Sequence, residues 1–185
     1  MSDDRSLVLQ RQRQLKWRSL DWLETALMAL CGLTLMCFCT SVVCDIVTRT
    51  IGRPWLWLQE VTSTFFIYGI FIGAAVATRR NDHLFLAAIG DSLTGRPRLA
   101  IETAIRLVVI TVGVFLTYYG YVNFLRGFSS FRMPSMTPIA SLYAAIPFSG
   151  ALITLFAVEQ LINGWRNGFE NTKEDEELRA EGPPP

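Results

Sequence analysis

Apolar residues are gathered along this chain into four long runs, at about 23–43, 56–77, 107–122 and 139–162, separated by short polar stretches. Each run is close to the roughly 20 residues that an α-helix needs to cross a bilayer at about 1.5 Å rise per residue. Water is absent from the hydrocarbon core, so backbone groups must be satisfied within the segment, and helices are the spanning form this pattern predicts. The expected fold is therefore all-α and integral to a membrane. It has four transmembrane helices, with a short interfacial helix between spans two and three.

The rest of the composition limits what else can be present. The chain has 185 residues, 51% of them hydrophobic and 18% charged, with a mean hydropathy of +0.32, so four spans and their connections use almost all of its length. Three parts are expected: a basic segment at 1–19, a membrane domain at 20–168, and an acidic, then Pro-rich, disordered tail at 169–185. The first run is longer than the apolar region of a signal peptide, and its end, Thr40-Ser41-Val42-Val43-Cys44-Asp45, lacks an A-x-A cleavage pattern. It is read as a retained helix.

Cation placement predicts the orientation. Arg5, Arg11, Arg13, Lys16 and Arg18 precede span one; Arg79, Arg80, Arg96 and Arg98 lie between spans two and three; Arg166, Lys173 and Arg179 follow span four. The other two connections hold Arg49 with Arg53, and Arg126 with Arg132. The positive-inside rule then puts both termini and the middle connection in the cytoplasm. Trp17 and Trp22 at the start of span one, Trp55 and Trp57 at the start of span two, and Trp165 at the end of span four fall at expected headgroup levels. Tyr118, Tyr119 and Tyr121 do so at the outer end of span three. These are expected to anchor the chain in lipid.

Redox and metal chemistry find little support. Cys31, Cys37, Cys39 and Cys44 all lie on span one, where residues six or seven apart on a helix are about 10 Å apart along its axis, too far to bridge. They read as small packing residues. His83 is the single histidine, so ligation of a haem by two histidines of the chain is excluded, and no Cys/His metal pattern is present. No catalytic, cofactor-binding or metal-binding residue is assigned, and nothing points to a nucleic-acid partner.

Span two carries the most information. Gly69 and Gly73 form a GxxxG that Ala77 extends by four residues, a flat stripe where a neighbouring helix can approach, either in this chain or in a partner. Glu60 lies about one turn inside the outer boundary. A carboxylate at the centre of a span costs about 2.5–3.5 kcal/mol, less near an interface, so it is normally paired or functional. Arg49, Arg53 or Arg126 could pair with it, and contact with a partner subunit or ion or proton handling are the alternatives. On the cytoplasmic side Arg79, Arg80 and His83 open the interfacial segment, with the arginines facing lipid or a partner and Asp82 able to cap it. Glu102 and Arg106 are spaced for an i,i+4 pair, unless Arg106 snorkels to the headgroups. Pro147 predicts a bend near Tyr143, and Ser141, Ala145 and Ser149 make a second small-residue stripe.

These features resemble a known family, the small four-helix membrane subunit of tripartite ATP-independent periplasmic (TRAP) transporters, the DctQ-like or Q subunit. Trp57-Leu58-Gln59-Glu60 is similar to the Trp-x-x-Glu that opens helix two of that family. Gly73-Ala74-Ala75 is similar to its small-residue patch, Arg79 or Arg80 followed by His83-Leu84 to its Arg-x-x-His-hydrophobic turn, and Ala145-Ile146-Pro147 to its step in span four. Two departures are Gln59, where an acidic residue is common, and the missing acidic residue at Leu86 or Ala87. The resemblance implies a bacterial inner-membrane protein that enlarges and anchors the static scaffold of a large multi-span M-type subunit. That partner would take up an organic acid from a periplasmic solute-binding protein and would itself carry the sodium coupling, with no cofactor in this chain. The alternative is a self-contained small four-helix exporter. It would need an acidic residue deep in span one, whereas Glu24 lies at the edge.

Overall fold

A computed structural model of the chain describes Trp17 and residues 20–80 and 96–167. The described residues form α1 (Asp21–Thr50), α2 (Leu58–Arg80), α3 (Arg96–Arg126), a 3-10 turn (Gly127–Ser129), a single turn α4 (Ala140–Tyr143) and α5 (Ala145–Asn167). Four segments are long and apolar enough to cross a membrane: Asp21–Thr50, Leu58–Arg80, Leu99–Ser129 and Ala140–Arg166. The interfacial helix expected after span two, with Asp82 and His83, lies outside the described residues.

The helices run past the apolar stretches because a helix does not stop where hydrocarbon does. α3 begins eleven residues before the apolar run at 107 and carries the i,i+4 pair of Glu102 and Arg106, joined by a hydrogen bond from Arg106 Nη1 to the Glu102 carboxylate. Arg106 is buried rather than reaching outward. At its other end α1 is stopped by Gly52 at φ 77°, with Gly52 N donating to Arg49 O and Arg53 N to Thr48 O, both at 3.0 Å. This is a Schellman closure. Its left-handed residue is a glycine because a Cβ would be strained there.

In space the spans follow the order α1, α2, α5, α3: α2 packs against both α1 and α5, and α3 packs on the far side of α5. Span four is accordingly the most enclosed, with 39% of its apolar window buried against 11–17% for the others. The core of Leu27, Ile72, Ala75, Val76, Leu152, Ile153 and Phe156 joins α1, α2 and α5. Span four is interrupted at Ala144, three residues before Pro147, so α4 and α5 are separate helices where the proline was expected to bend the span.

The closest helix contact is one the sequence reading did not single out. A Cβ built on Gly120 would stand 2.8 Å from Pro147 N, and one on Gly127 would stand 2.7 Å from Ala140 N. One on Gly113 would stand 2.5 Å from Thr154 Oγ1, and one on Gly150 would stand 2.7 Å from Thr117 N. Gly113, Gly120 and Gly127 recur every seventh residue, opposite Thr154, Pro147 and Ala140 with the same spacing in reverse. Two antiparallel helical segments thus meet along one seam.

Candidate functional site

Gly69 and Gly73 face α1, but without comparable closeness. Added Cβ atoms would meet Thr34 Oγ1 at 3.4 Å and Cys31 Sγ at 3.5 Å, which is ordinary contact. Between these helices runs an open apolar groove of about 470 Å³ lined by Cys31, Leu35, Phe38, Phe65, Phe66, Gly69, Ile70, Gly73 and Ala74. Ala77, one turn on, is half-buried. Around the groove the α1–α2 seam is closed by specific contacts: Cys31 Sγ to Gly69 O at 3.8 Å, Thr62 Oγ1 to Ser41 Oγ at 2.9 Å, and the Phe38 and Phe66 rings at 5.4 Å. All four cysteines are free thiols.

At the C-terminal end of α2 stands a buried ionic cluster. Arg79, expected to face lipid or a partner, is 0% exposed. Its guanidinium lies 3.1 Å from Asp21, 3.0 Å from Glu24 and 3.3 Å from Glu159, and donates to the carbonyls of Leu20 at 2.5 Å and Trp17 at 3.1 Å. Arg79 also sits over the Phe156 ring, 5.5 Å from its centroid. Arg80 pairs with Glu24 at 3.4 Å. A guanidinium has five N–H donors in a fixed fork, so one arginine can bind carboxylates from two helices together with main-chain carbonyls. That is why it sits inside the cluster instead of at the headgroups.

The same cluster captures the chain just before α1. Trp17 N donates to Glu159 Oε1 at 2.6 Å and its indole Nε1 to Asn163 Oδ1 at 2.7 Å, so this tryptophan is tied to span four as well as partly exposed. Gln160 Nε2 adds bonds to the carbonyls of Thr78 at 2.8 Å and Arg79 at 3.1 Å, satisfying the C-terminal end of α2. Glu159, Gln160 and Asn163 were missed in the sequence. Their signal was there: polar residues three and four apart inside an apolar span, a pattern membranes tolerate only where such residues face protein. Trp22, Trp55 and Trp165 remain 52–71% exposed, with Trp165 Nε1 donating to Thr103 Oγ1 at 3.1 Å and the Trp55 and Trp57 rings stacked at 5.8 Å.

At the N-terminal end of α2 Glu60 finds a partner other than the three expected. Arg49 pairs with Asp45 at 2.9 Å, and the cation nearest Glu60 is Arg132, 4.0 Å away. The connection from Ser130 to Ile139 folds back on itself, with Arg132 N bonded to Thr137 O at 2.9 Å and Ile139 N to Ser130 O at 2.9 Å. This carries Ser135 over the carboxylate, to which its hydroxyl donates. Arg132 donates to Thr64 Oγ1 and to Glu60 O, each at 3.0 Å. Long-range folding of a connection is invisible to helical periodicity, which explains why this arginine was not the expected one.

Charge is thus confined to the ends of the spans. The stretches 25–44, 61–78, 107–125 and 140–158 contain no Asp, Glu, Lys or Arg. Among the described residues no group of three or more His, Cys, Asp or Glu is placed to hold a metal ion. Glu24, at the edge of span one, is tied up in the ionic cluster.

Residues 38–167 match the family described as tripartite ATP-independent periplasmic transporters, DctQ component. The chain is also 23% identical over 126 residues to the sialic acid TRAP transporter small permease protein SiaQ of Vibrio cholerae, covering 64% of this chain and 72% of that protein. It is 24% identical over 126 residues to the sialic acid TRAP transporter permease protein SiaT of Haemophilus influenzae, covering 66% of this chain but only 20% of that much longer protein.

Proposed function

Since the chain belongs to the DctQ component family of tripartite ATP-independent periplasmic transporters, and so is a multi-pass membrane transport component and not an enzyme, we propose that it serves as the small scaffold subunit of such a transporter. On this reading it is held in the bacterial inner membrane with both termini in the cytoplasm. It supports a large multi-span subunit that moves an organic acid inward by an elevator-type cycle coupled to sodium. A periplasmic solute-binding protein delivers that acid.

The observation that carries the reading is the SiaT relationship. There a segment similar to this chain makes up a fifth of one long permease, the arrangement expected if the small and large parts work side by side. The charge distribution supports it physically. Secondary transporters place polar groups and broken helices near the bilayer midplane, whereas here the middle of every span is uncharged and the ionic groups brace helix ends. A brace suits a part that stays still while its partner moves. Selectivity for the acid then lies in the binding protein and the large subunit.

The test is affinity purification of the tagged chain from its native membranes in mild detergent, with mass spectrometry of what accompanies it. A large multi-span protein in near-equimolar amount is the expected result. Recovery of the chain alone as a stable homo-oligomer would overturn the scaffold reading and restore the independent exporter as the function to test.

A further inference from the structure

The connection between spans three and four, residues 130–139, shows its apolar side chains to the outside and turns its charge in. Phe131, Met133 and Met136 are 57%, 75% and 59% exposed, and Phe128 just before them is 53% exposed. Its one charged residue is Arg132, whose guanidinium lies against α2 on Glu60 O and Thr64 Oγ1 with 15% of the side chain accessible. Exposed apolar residues grouped in this way mark a surface that something else covers.

The level of the connection along α2 decides what that cover is. Ser135 donates its N–H and its hydroxyl to the carboxylate of Glu60, in the first turn of α2. Arg132 reaches Thr64, about 9 Å along the helix axis from Leu58 at its start. The connection therefore lies down beside the first turns of α2 instead of standing above the helix ends. Exposed Trp55 and Trp57 before α2, and Tyr118, Tyr119 and Tyr121 toward the end of α3, suit the headgroup level on the same side. At that depth the neighbour of an outward-facing side chain is lipid.

Backbone bonding points the same way. Pro134 and Pro138 have no N–H, and six of the other eight N–H groups of the connection are bonded within the chain. Those of Ser130, Arg132, Met136 and Ile139 go to main-chain oxygens, that of Ser135 to Glu60 and that of Thr137 to Ser135 Oγ. A loop in water can leave its donors to solvent, whereas one in contact with lipid must satisfy them internally.

We propose that the 130–139 connection is an interfacial anchor, with Phe131, Met133 and Met136 inserted in the lipid bilayer beside the start of α2. Ser135 and Arg132 fasten the connection to the helix, and its apolar side fastens it to the membrane. This is independent of whether the chain scaffolds a transporter and of which side of the membrane this end faces.

The test uses the full-length chain in phosphatidylcholine nanodiscs and chloramine-T, a charged oxidant confined to water. Sulfoxide formation at each methionine is followed by mass spectrometry and compared with a free peptide of residues 130–139. Met133 and Met136 should oxidise about tenfold or more slowly than in the peptide, because burial of a methionine side chain is favoured by more than that factor. They should match Met36, which is 63% exposed in the middle of span one. A phosphatidylcholine with a diazirine on its acyl chain should leave adducts on residues 131–136 after illumination. Oxidation at the peptide rate would overturn the proposal, and protection that appears only when a soluble partner is added would assign the surface to that protein instead. Slow oxidation without lipid adducts would also overturn it, since a second copy of the chain would then be the cover.

Discussion

Two helix seams in this protein carry glycines, and they are built in opposite ways. Between α3 with its 3-10 extension and span four (α4 and α5) the backbones themselves meet, leaving no room for a Cβ at Gly113, Gly120, Gly127 or Gly150. Between α1 and α2 the GxxxG glycines leave normal contact distances and an open groove, and the seam is held at one end by an ionic cluster and along its length by a hydroxyl pair. Lipid tails are as apolar as leucine, so helices in a membrane gain little from burying apolar surface against each other. Close backbone packing and polar contacts are the two remaining ways to specify a neighbour. This chain uses close backbone packing where α3 meets span four and polar contacts where α1 meets α2.

The sharpest way to break that division is at Arg79. Replacing it with methionine leaves Glu159 buried without its cation and Glu24 with Arg80 alone, at an expected cost of about 3–5 kcal/mol. A loss of thermal stability in detergent should report it, with α1 detaching while the α3–α5 seam persists. Exchanging the charges, Arg79→Glu with Glu159→Arg, should recover part of the loss if the pairing itself matters. On the other seam Gly120→Ala puts a methyl group against the Pro147 main chain and should cost about 1–3 kcal/mol by the same melting measurement. Equal tolerance of alanine at Gly120 and Gly73 would remove the distinction between the seams.

Smaller effects sharpen it. Ser41→Ala removes the hydroxyl bond to Thr62 and should cost about 0.6 kcal/mol, the average for such contacts between membrane helices. Gly73→Ala should leave stability unchanged, since its Cβ would meet Cys31 Sγ at 3.5 Å. Gly73→Leu should fill the groove and impair co-purification of the large partner while the chain alone still folds. Normal co-purification of that variant would exclude the groove from the interface. Glu60→Gln should preserve assembly with the partner, and complete loss would instead make its charge obligatory.

The number and approximate places of the spans were legible in the sequence because hydropathy is a local property and the bilayer sets a length, whereas the helix ends of α1 and α3 ran well past their apolar stretches. The Glu102–Arg106 pair was legible for a similar reason: both residues are one turn apart on the same helix. The partner of Glu60 was not. Arg49, Arg53 and Arg126 are nearer in sequence than Arg132, and only the fold of the 130–139 connection brings the latter close. The seven-residue glycine repeat is present in the sequence, but its meaning depends on the facing residues Thr154, Pro147 and Ala140, which only the fold brings opposite.

By itself the amino-acid sequence determined that this protein crosses the membrane four times, with uncharged span interiors and aromatic ends, since each of those properties follows from what a short segment can satisfy in lipid or at its surface. Which span touches which, why Arg79 is buried, and which glycines close a seam were decided by tertiary structure. Apolar helices show lipid and protein much the same surface, so their order rests on a few polar and close-packed contacts between residues more than a hundred positions apart, such as Trp17 with Glu159 and Asn163.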